Sequence, residues 1–173
     1  MGKPPYELCR EGIGRTFQIV KPFGSKTVLY NVAVGAFART NSRSEALQKA
    51  EEVVKLVGLE SRKDLLAKNL TIVDRKRLEV AKALATQPKL ILLDEVLAGL
   101  TPSEVDEAVE LIRRIQQSGV TVLMIEHVMR AVMALCERVL VISYGEPIAE
   151  GTPQEVTQNP QVISAYLGDD HHA

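Results

Sequence analysis

Lys89-Leu90-Ile91-Leu92-Leu93-Asp94-Glu95 is the stretch on which the reading of this chain turns. Four consecutive aliphatic residues with no polar break predict a strand buried on both faces, as in a parallel sheet covered by helices. Two adjacent carboxylates close it. In an open α/β sheet, ligands sit beyond the C-terminal ends of the strands, so acids placed there point to ligand contact. A hard cation such as Mg2+ takes carboxylate oxygen while it bridges phosphates, and a second acid beside it can orient or deprotonate a water. On this stretch alone, a buried strand ending in two solvated acids is an equally good reading. The flanks decide between them.

Downstream, Thr101-Pro102-Ser103-Glu104 combines a capping box with proline at the first helical position, and Val105, Ala108, Ile112 and Ile115 form an inward face up to Ser118-Gly119. Val120 to Ile125 predicts a second aliphatic strand, followed by Glu126-His127, a helix from Val128 to about Cys136, and a third strand from Arg138 to Ser143. This β-α-β-α-β order predicts parallel strands joined by crossovers, hence a doubly wound α/β core. Tyr144-Gly145 turns into a small hairpin toward Gly151, Thr152-Pro153-Gln154-Glu155 repeats the capping box for a short helix, and Pro160 precedes Val162 to Leu167.

Upstream, the opening segment is polar, and Ile13 to Phe17 predicts a short strand that Pro22 and Gly24 break off. Leu47, Ala50, Val53, Val54 and Val57 recur at helical spacing before Gly58. A further helix is capped by Thr71, answered by Asp74, and runs through Leu78, Ala81 and Ala85 toward Pro88. The segment from Tyr30 to Thr86 therefore reads as a mainly helical insertion.

At 173 residues, 46% hydrophobic and 25% charged, the chain has the composition of one globular domain with a sizeable core. A net charge of -1 gives no broad basic field, which argues against nucleic acid or an anionic membrane surface as the main partner. Cys9 and Cys136 match no metal or redox spacing and read as free thiols of a reducing compartment. No apolar run approaches the ~18 residues of a membrane span, and the first residues lack the apolar stretch of a signal peptide, so the expectation is a soluble, cytoplasmic chain. His171 and His172, beside Asp169 and Asp170, are read as a tail.

Four stations now follow in order: Gln18 after a strand, Thr71 to Asp74 at a helix start, Asp94-Glu95 at a strand end, and His127 past the next strand. Singly, each has a bland explanation as a surface glutamine, an N-cap, solvated acids and an exposed histidine. In this order and spacing, over about Pro5 to Leu167, they resemble the ATP-binding subunit of ABC transporters. The stretches GIGRTFQ, KLILLDEVLAGLTP, TVLMIEHVMRAVMALCERVLVISYGEPIAEGTPQEV and NPQVISAYLG look most like subunits of branched-chain amino acid importers. The resemblance implies a P-loop NTPase-like fold, doubly wound with a mainly parallel sheet and an inserted helical subdomain at 30–86, an α/β core at 87–151, and C-terminal helices and tail at 152–173. It implies ATP and Mg2+ as cofactors. Gln18 matches the Q-loop glutamine, which senses Mg2+ and the attacking water; Asp94 matches the Walker B aspartate that holds the cation. Glu95 matches the catalytic glutamate that polarises the water, and His127 the switch histidine at the γ-phosphate. Such a kit stabilises equatorial charge and aims water in line. The implied partners are membrane-embedded permease subunits, docked on the helical subdomain, and a second nucleotide-binding domain. The implied location is the inner face of a membrane.

The sequence departs from the family pattern in three places. No G-x-x-x-x-G-K-[ST] loop occurs in these residues; Gly24-Ser25-Lys26-Thr27 lacks the upstream glycine and the strand-to-helix context. That loop grips the β- and γ-phosphates, so nucleotide binding by the isolated chain is expected to be weak. In the family the strand before it lies between the strands here at Val120 to Ile125 and Arg138 to Ser143, and its absence is expected to leave two unpaired edges. The signature L-S-G-G-Q stands as Leu70-Thr71-Ile72-Val73-Asp74, with β-branched residues replacing both glycines at the position that meets nucleotide across a dimer. Thr101 replaces the acid that usually follows the Walker B turn. The residues thus leave two readings: part of an importer ATPase that is inactive in isolation, or a truncated or decayed, non-enzymatic domain acting only as an interaction module. A metal-dependent hydrolase built on Asp94-Glu95 needs further ligands nearby, and His127 is the only histidine outside the tail.

Overall fold

The computed structural model describes residues 2–167, so the terminal Asp169, Asp170, His171 and His172 lie outside the described residues. The chain forms two compact units, Met1–Glu126 and His127–Ala173.

The first unit is built on a three-stranded parallel sheet, β1 (Ile13–Arg15), β2 (Leu90–Asp94) and β3 (Thr121–Ile125), in that order across the sheet. The register sets Ile13 beside Leu90, Leu90 beside Thr121, and Asp94 beside Ile125. The decisive stretch is thus the central strand. Ile91 and Leu93 are fully buried, but Leu90 and Leu92 on the opposite face are only half-buried. The expectation of a strand buried on both faces holds for one face. β3 departs further, with Leu123 59% and Ile125 63% exposed on one uncovered face, and among the described residues it pairs with β2 alone and forms an edge.

Between β1 and β2 lie α2 (Val28–Ala36), α3 (Arg43–Leu56) and α4 (Ile72–Ala85), which pack on one another through Val28, Val32, Ala46, Ala50, Val54 and Leu78. Gly35 lets α2 and α4 approach closely: a Cβ there would stand 2.5 Å from the Lys82 carbonyl oxygen. Ser42, Thr71 and Thr101 cap α3, α4 and α5 (Pro102–Gln117), each accepting from the backbone N–H three residues on. The inward face of α5 is Val105, Val109, Leu111, Ile112 and Ile115, with Val109 rather than Ala108 fully inside. The opening segment, read only as polar, contains α1 (Pro5–Glu11). It buries no side chain and so offers no periodic apolar stripe; its signals are Pro5 at the first helical position and Gly12 at the end, with φ 101°.

The second unit comprises α6 (Met129–Leu135), β4 (Val139–Ser143), β5 (Glu146–Gly151), α7 (Pro153–Thr157) and α8 (Pro160–Leu167), around Ala131, Val132, Leu135, Val141 and Val156. Here the hairpin expected at Tyr144-Gly145 is found. β4 pairs antiparallel with β5 in a separate two-stranded sheet, across the turn Tyr144-Gly145, whose φ angles of 49° and 86° suit a tight hairpin. Thr152 makes the capping box expected for α7.

Candidate functional site

β1 and β2 run parallel and end side by side, so the residues that follow Arg15 and Leu93 meet at one end of the sheet. Thr16 knits the two ends together. Its side chain is fully buried, accepts from the Asp94 backbone N–H at 3.0 Å and donates to the Leu92 carbonyl at 3.4 Å, while its own N–H donates to the same carbonyl at 2.9 Å. A side chain thereby extends the ladder one residue beyond β1. Asp94 is held from behind, and Arg15 donates to its carboxylate at 3.1 Å.

Glu95 then leaves the strand. Its φ of 48° lies in the left-handed region, and its backbone N–H turns to the Ile125 carbonyl at 3.0 Å. In a continuing strand, adjacent side chains face opposite sides of the sheet. The left-handed step cancels that alternation, and Asp94 and Glu95 line one cleft together with Gln18, Lys76 and Glu79. Gln18 donates through Nε2 to Glu95 Oε2 at 2.6 Å, so the structure brings together three of the sequence-predicted residues.

Polar groups on neighbouring elements support this end of the sheet. Lys76, one turn into α4, donates from Nζ to the Ala98 carbonyl at 2.6 Å and the Glu95 carbonyl at 3.2 Å. Burial pulls the pKa of its ammonium below the ordinary lysine value, against the opposing pull of Glu126 and then Glu95. Glu126 accepts from the Leu97 N–H at 2.8 Å. Glu79, on α4, is buried and accepts from Lys82 at 2.8 Å.

The segment Leu70 to Asp74 lies at the start of α4. Thr71 accepts from the Asp74 N–H at 3.2 Å, and its hydroxyl donates to one Asp74 carboxylate oxygen at 2.8 Å. Arg62 donates to the other oxygen, so Asp74 is a buried, ion-paired capping acid rather than an outward-facing group. Val73 is half-buried and Ile72 is 71% exposed. His127 is exposed and is the first residue of the second unit.

Sequence reasoning overlooked Arg15, Thr16, Lys76, Glu79 and Glu126. For Thr16 the one signal is its place in the predicted strand Ile13 to Phe17; Lys76 and Glu126 carry none, since their partners are main-chain groups of a turn.

Oxygen is the only donor type that Gln18 and Asp94 offer, and it suits a hard cation. Among the described residues, no three or more His, Cys, Asp and Glu side chains are grouped to hold a metal ion. A cation at this cleft would therefore complete its shell with phosphate oxygens and water, the coordination habit of Mg2+.

Residues 2–98 match the ABC transporter family, and residues 146–172 match the family described as branched-chain amino acid ATP-binding cassette transporter. The high-affinity branched-chain amino acid transport ATP-binding protein LivG of Salmonella typhimurium is 39% identical over 97% of this chain and 72% of its own length. The lipopolysaccharide export system ATP-binding protein LptB of Escherichia coli is 35% identical over 96% of this chain and 70% of its own. Among solved structures, the ADP conformation of MJ1267, an ATP-binding cassette of an ABC transporter, superposes with a TM-score of 0.83 at 29% identity, over 96% of this chain and 72% of that one. With the P-loop NTPase architecture and these likenesses together, the chain belongs to the ATP-binding subunits of ABC transporters.

Proposed function

We propose that the chain serves an ABC importer, coupling ATP hydrolysis to the uptake of branched-chain amino acids or similar solutes. The observation that carries this reading is the contact between Gln18 Nε2 and Glu95 Oε2 beside Asp94, at the strand ends where α/β sheets bind ligands. The match of residues 146–172 to the branched-chain family supports the solute class.

Glu95 polarises the attacking water, and Gln18 bridges that water to the cation site. Asp94 and the Gln18 amide oxygen would hold Mg2+, which would neutralise charge on the phosphate oxygens. His127 meets the γ-phosphate. Thr71 and Val73 lie on the face presented to nucleotide on a second nucleotide-binding domain, with Asp74 behind them as the buried cap, and the helical segment 30–86 docks on membrane-embedded permease subunits. The phosphate-gripping G-x-x-x-x-G-K-[ST] loop comes from outside these 173 residues, so hydrolysis belongs to the assembly and the isolated chain is inactive. In that assembly the subunit is peripheral, on the cytoplasmic side of the membrane.

A second reading has its own support. Ile72 and Val73 stand where backbone must approach nucleotide closely, and Asp74 is committed to Arg62 and Thr71. That arrangement suits a non-enzymatic interaction module. Leucine uptake and MgATP hydrolysis by the assembled transporter, with and without Glu95→Gln, separate the two. The enzymatic reading expects a loss of about 100-fold or more in both. Uptake that proceeds undiminished with Glu95→Gln would establish the interaction module instead.

A further inference from the structure

Residues 95–100, which follow β2, form a turn pinned from three sides. The Glu95 N–H donates to Ile125 of β3, the Leu97 N–H donates to the Glu126 carboxylate, and Lys76 Nζ on α4 clasps the carbonyls of Glu95 and Ala98. Glu95 is therefore bonded at both its backbone groups. That matters because its φ of 48° is disfavoured for a residue with a Cβ, and such conformers persist only where their surroundings over-determine them. The left-handed step is also what delivers the Glu95 carboxylate to Gln18.

Lys76 is unusual among these anchors. A lysine at this helical position has no helix-forming reason to be half-buried, and desolvating an ammonium is costly. Both its hydrogen bonds go to main-chain carbonyls of the turn, where three donors on a flexible stem can bridge two acceptors. We propose that Lys76 is a positioning residue for Glu95: its ammonium locks the left-handed turn that aims the carboxylate at Gln18, and fastens that turn to the first turns of α4. Glu126 braces the same turn from the β3 side through Leu97. The inference rests on the reading of Glu95 as the water-polarising acid.

The test compares Lys76→Met with Lys76→Arg in the full chain by NMR, with Glu95→Ala as the reference for a missing carboxylate. Lys76→Met is expected to speed hydrogen exchange at the Glu95 amide about tenfold or more. It should also move the Gln18 side-chain amide resonance toward its position in Glu95→Ala, while Lys76→Arg keeps both near wild type. Unchanged exchange and an unchanged Gln18 resonance in Lys76→Met would overturn the proposal. So would equal disturbance by Arg and Met, which marks simple packing. If Lys76→Met does not fold, Lys76→Gln carries the same expectation; failure of both to fold would show a structural role and likewise overturn it. In the assembled transporter, Lys76→Met should lower kcat about tenfold or more with KM within about twofold, and Lys76→Arg should restore it. Wild-type kcat in Glu95→Gln would overturn the reading of Glu95 alone, leaving the NMR comparison to decide Lys76.

Discussion

Thr16→Val tests whether one buried hydroxyl sets the position of Asp94. Valine keeps the branched shape and the strand preference, so the backbone bond from residue 16 to Leu92 survives. What is lost is the acceptor for the Asp94 N–H at 3.0 Å and a weak donor to Leu92 at 3.4 Å. A donor left unsatisfied in a part-buried site costs about 1–3 kcal/mol, and the added apolar group returns up to about 0.8 kcal/mol. With the full return the net loss is about 0.2–2.2 kcal/mol, which in a chain of this size lowers Tm by up to about 9 °C. Urea denaturation followed by circular dichroism measures the loss, and hydrogen exchange at the Asp94 amide locates it. Thr16→Ser, which keeps the hydroxyl and gives up only a methyl group, should preserve Asp94 protection even where it costs stability. A Thr16→Val variant with wild-type stability and undiminished Asp94 protection would refute the argument that Thr16 extends the ladder.

Gly35→Ala should destabilise the first unit by about 1–3 kcal/mol despite the better helix propensity of alanine, because its Cβ meets the Lys82 carbonyl of α4 rather than a movable side chain; chemical denaturation would expose the error as a stability gain. The Glu155 carboxyl is held below the ordinary glutamate value by the Thr152 backbone N–H and then by its hydroxyl. With a folded pKa below the unfolded one, the contribution is present above the ordinary carboxylate range and disappears as pH falls through the folded value. A 13C carboxyl titration checks this, and Thr152→Ala should raise the midpoint only partway, since the backbone donor remains.

Much of the fold is legible because its signals are local. Caps at Thr71, Thr101 and Thr152 each bond the residue three positions on, so four adjacent letters suffice to mark a helix start. The apolar run Leu90 to Leu93 marks the central strand for the same reason. What the letters do not convey is partnership between distant segments. The hairpin of Arg138 to Ser143 with β5 is legible from the adjacent Tyr144-Gly145 turn, but the pairing of Val120 to Ile125 with Leu90 to Asp94 joins segments about thirty residues apart and is written in neither run. Leu123, Ile125, Leu140 and Ile142 are exposed although their composition reads as core. Period-2 patterning tells which residues share a face but not whether anything covers it.

The acid pair shows the same boundary at the site itself. Adjacency in sequence puts Asp94 and Glu95 at one strand end, but a strand that simply continued would send them to opposite faces, and the chemistry requires one cleft. The missing information is a single dihedral. It is supplied by residues that look unremarkable in the sequence: Thr16 fixes Asp94 from one side, while Lys76 and the Ile125 carbonyl hold Glu95 in its left-handed conformation from two others. Each acts through the main chain. A motif made of ligand-facing side chains therefore names the groups that do chemistry and omits the groups that aim them, because a backbone carbonyl can be grasped by any donor of suitable reach. The aim of Glu95 is for that reason a property of α4 and β3 as much as of the strand that carries it.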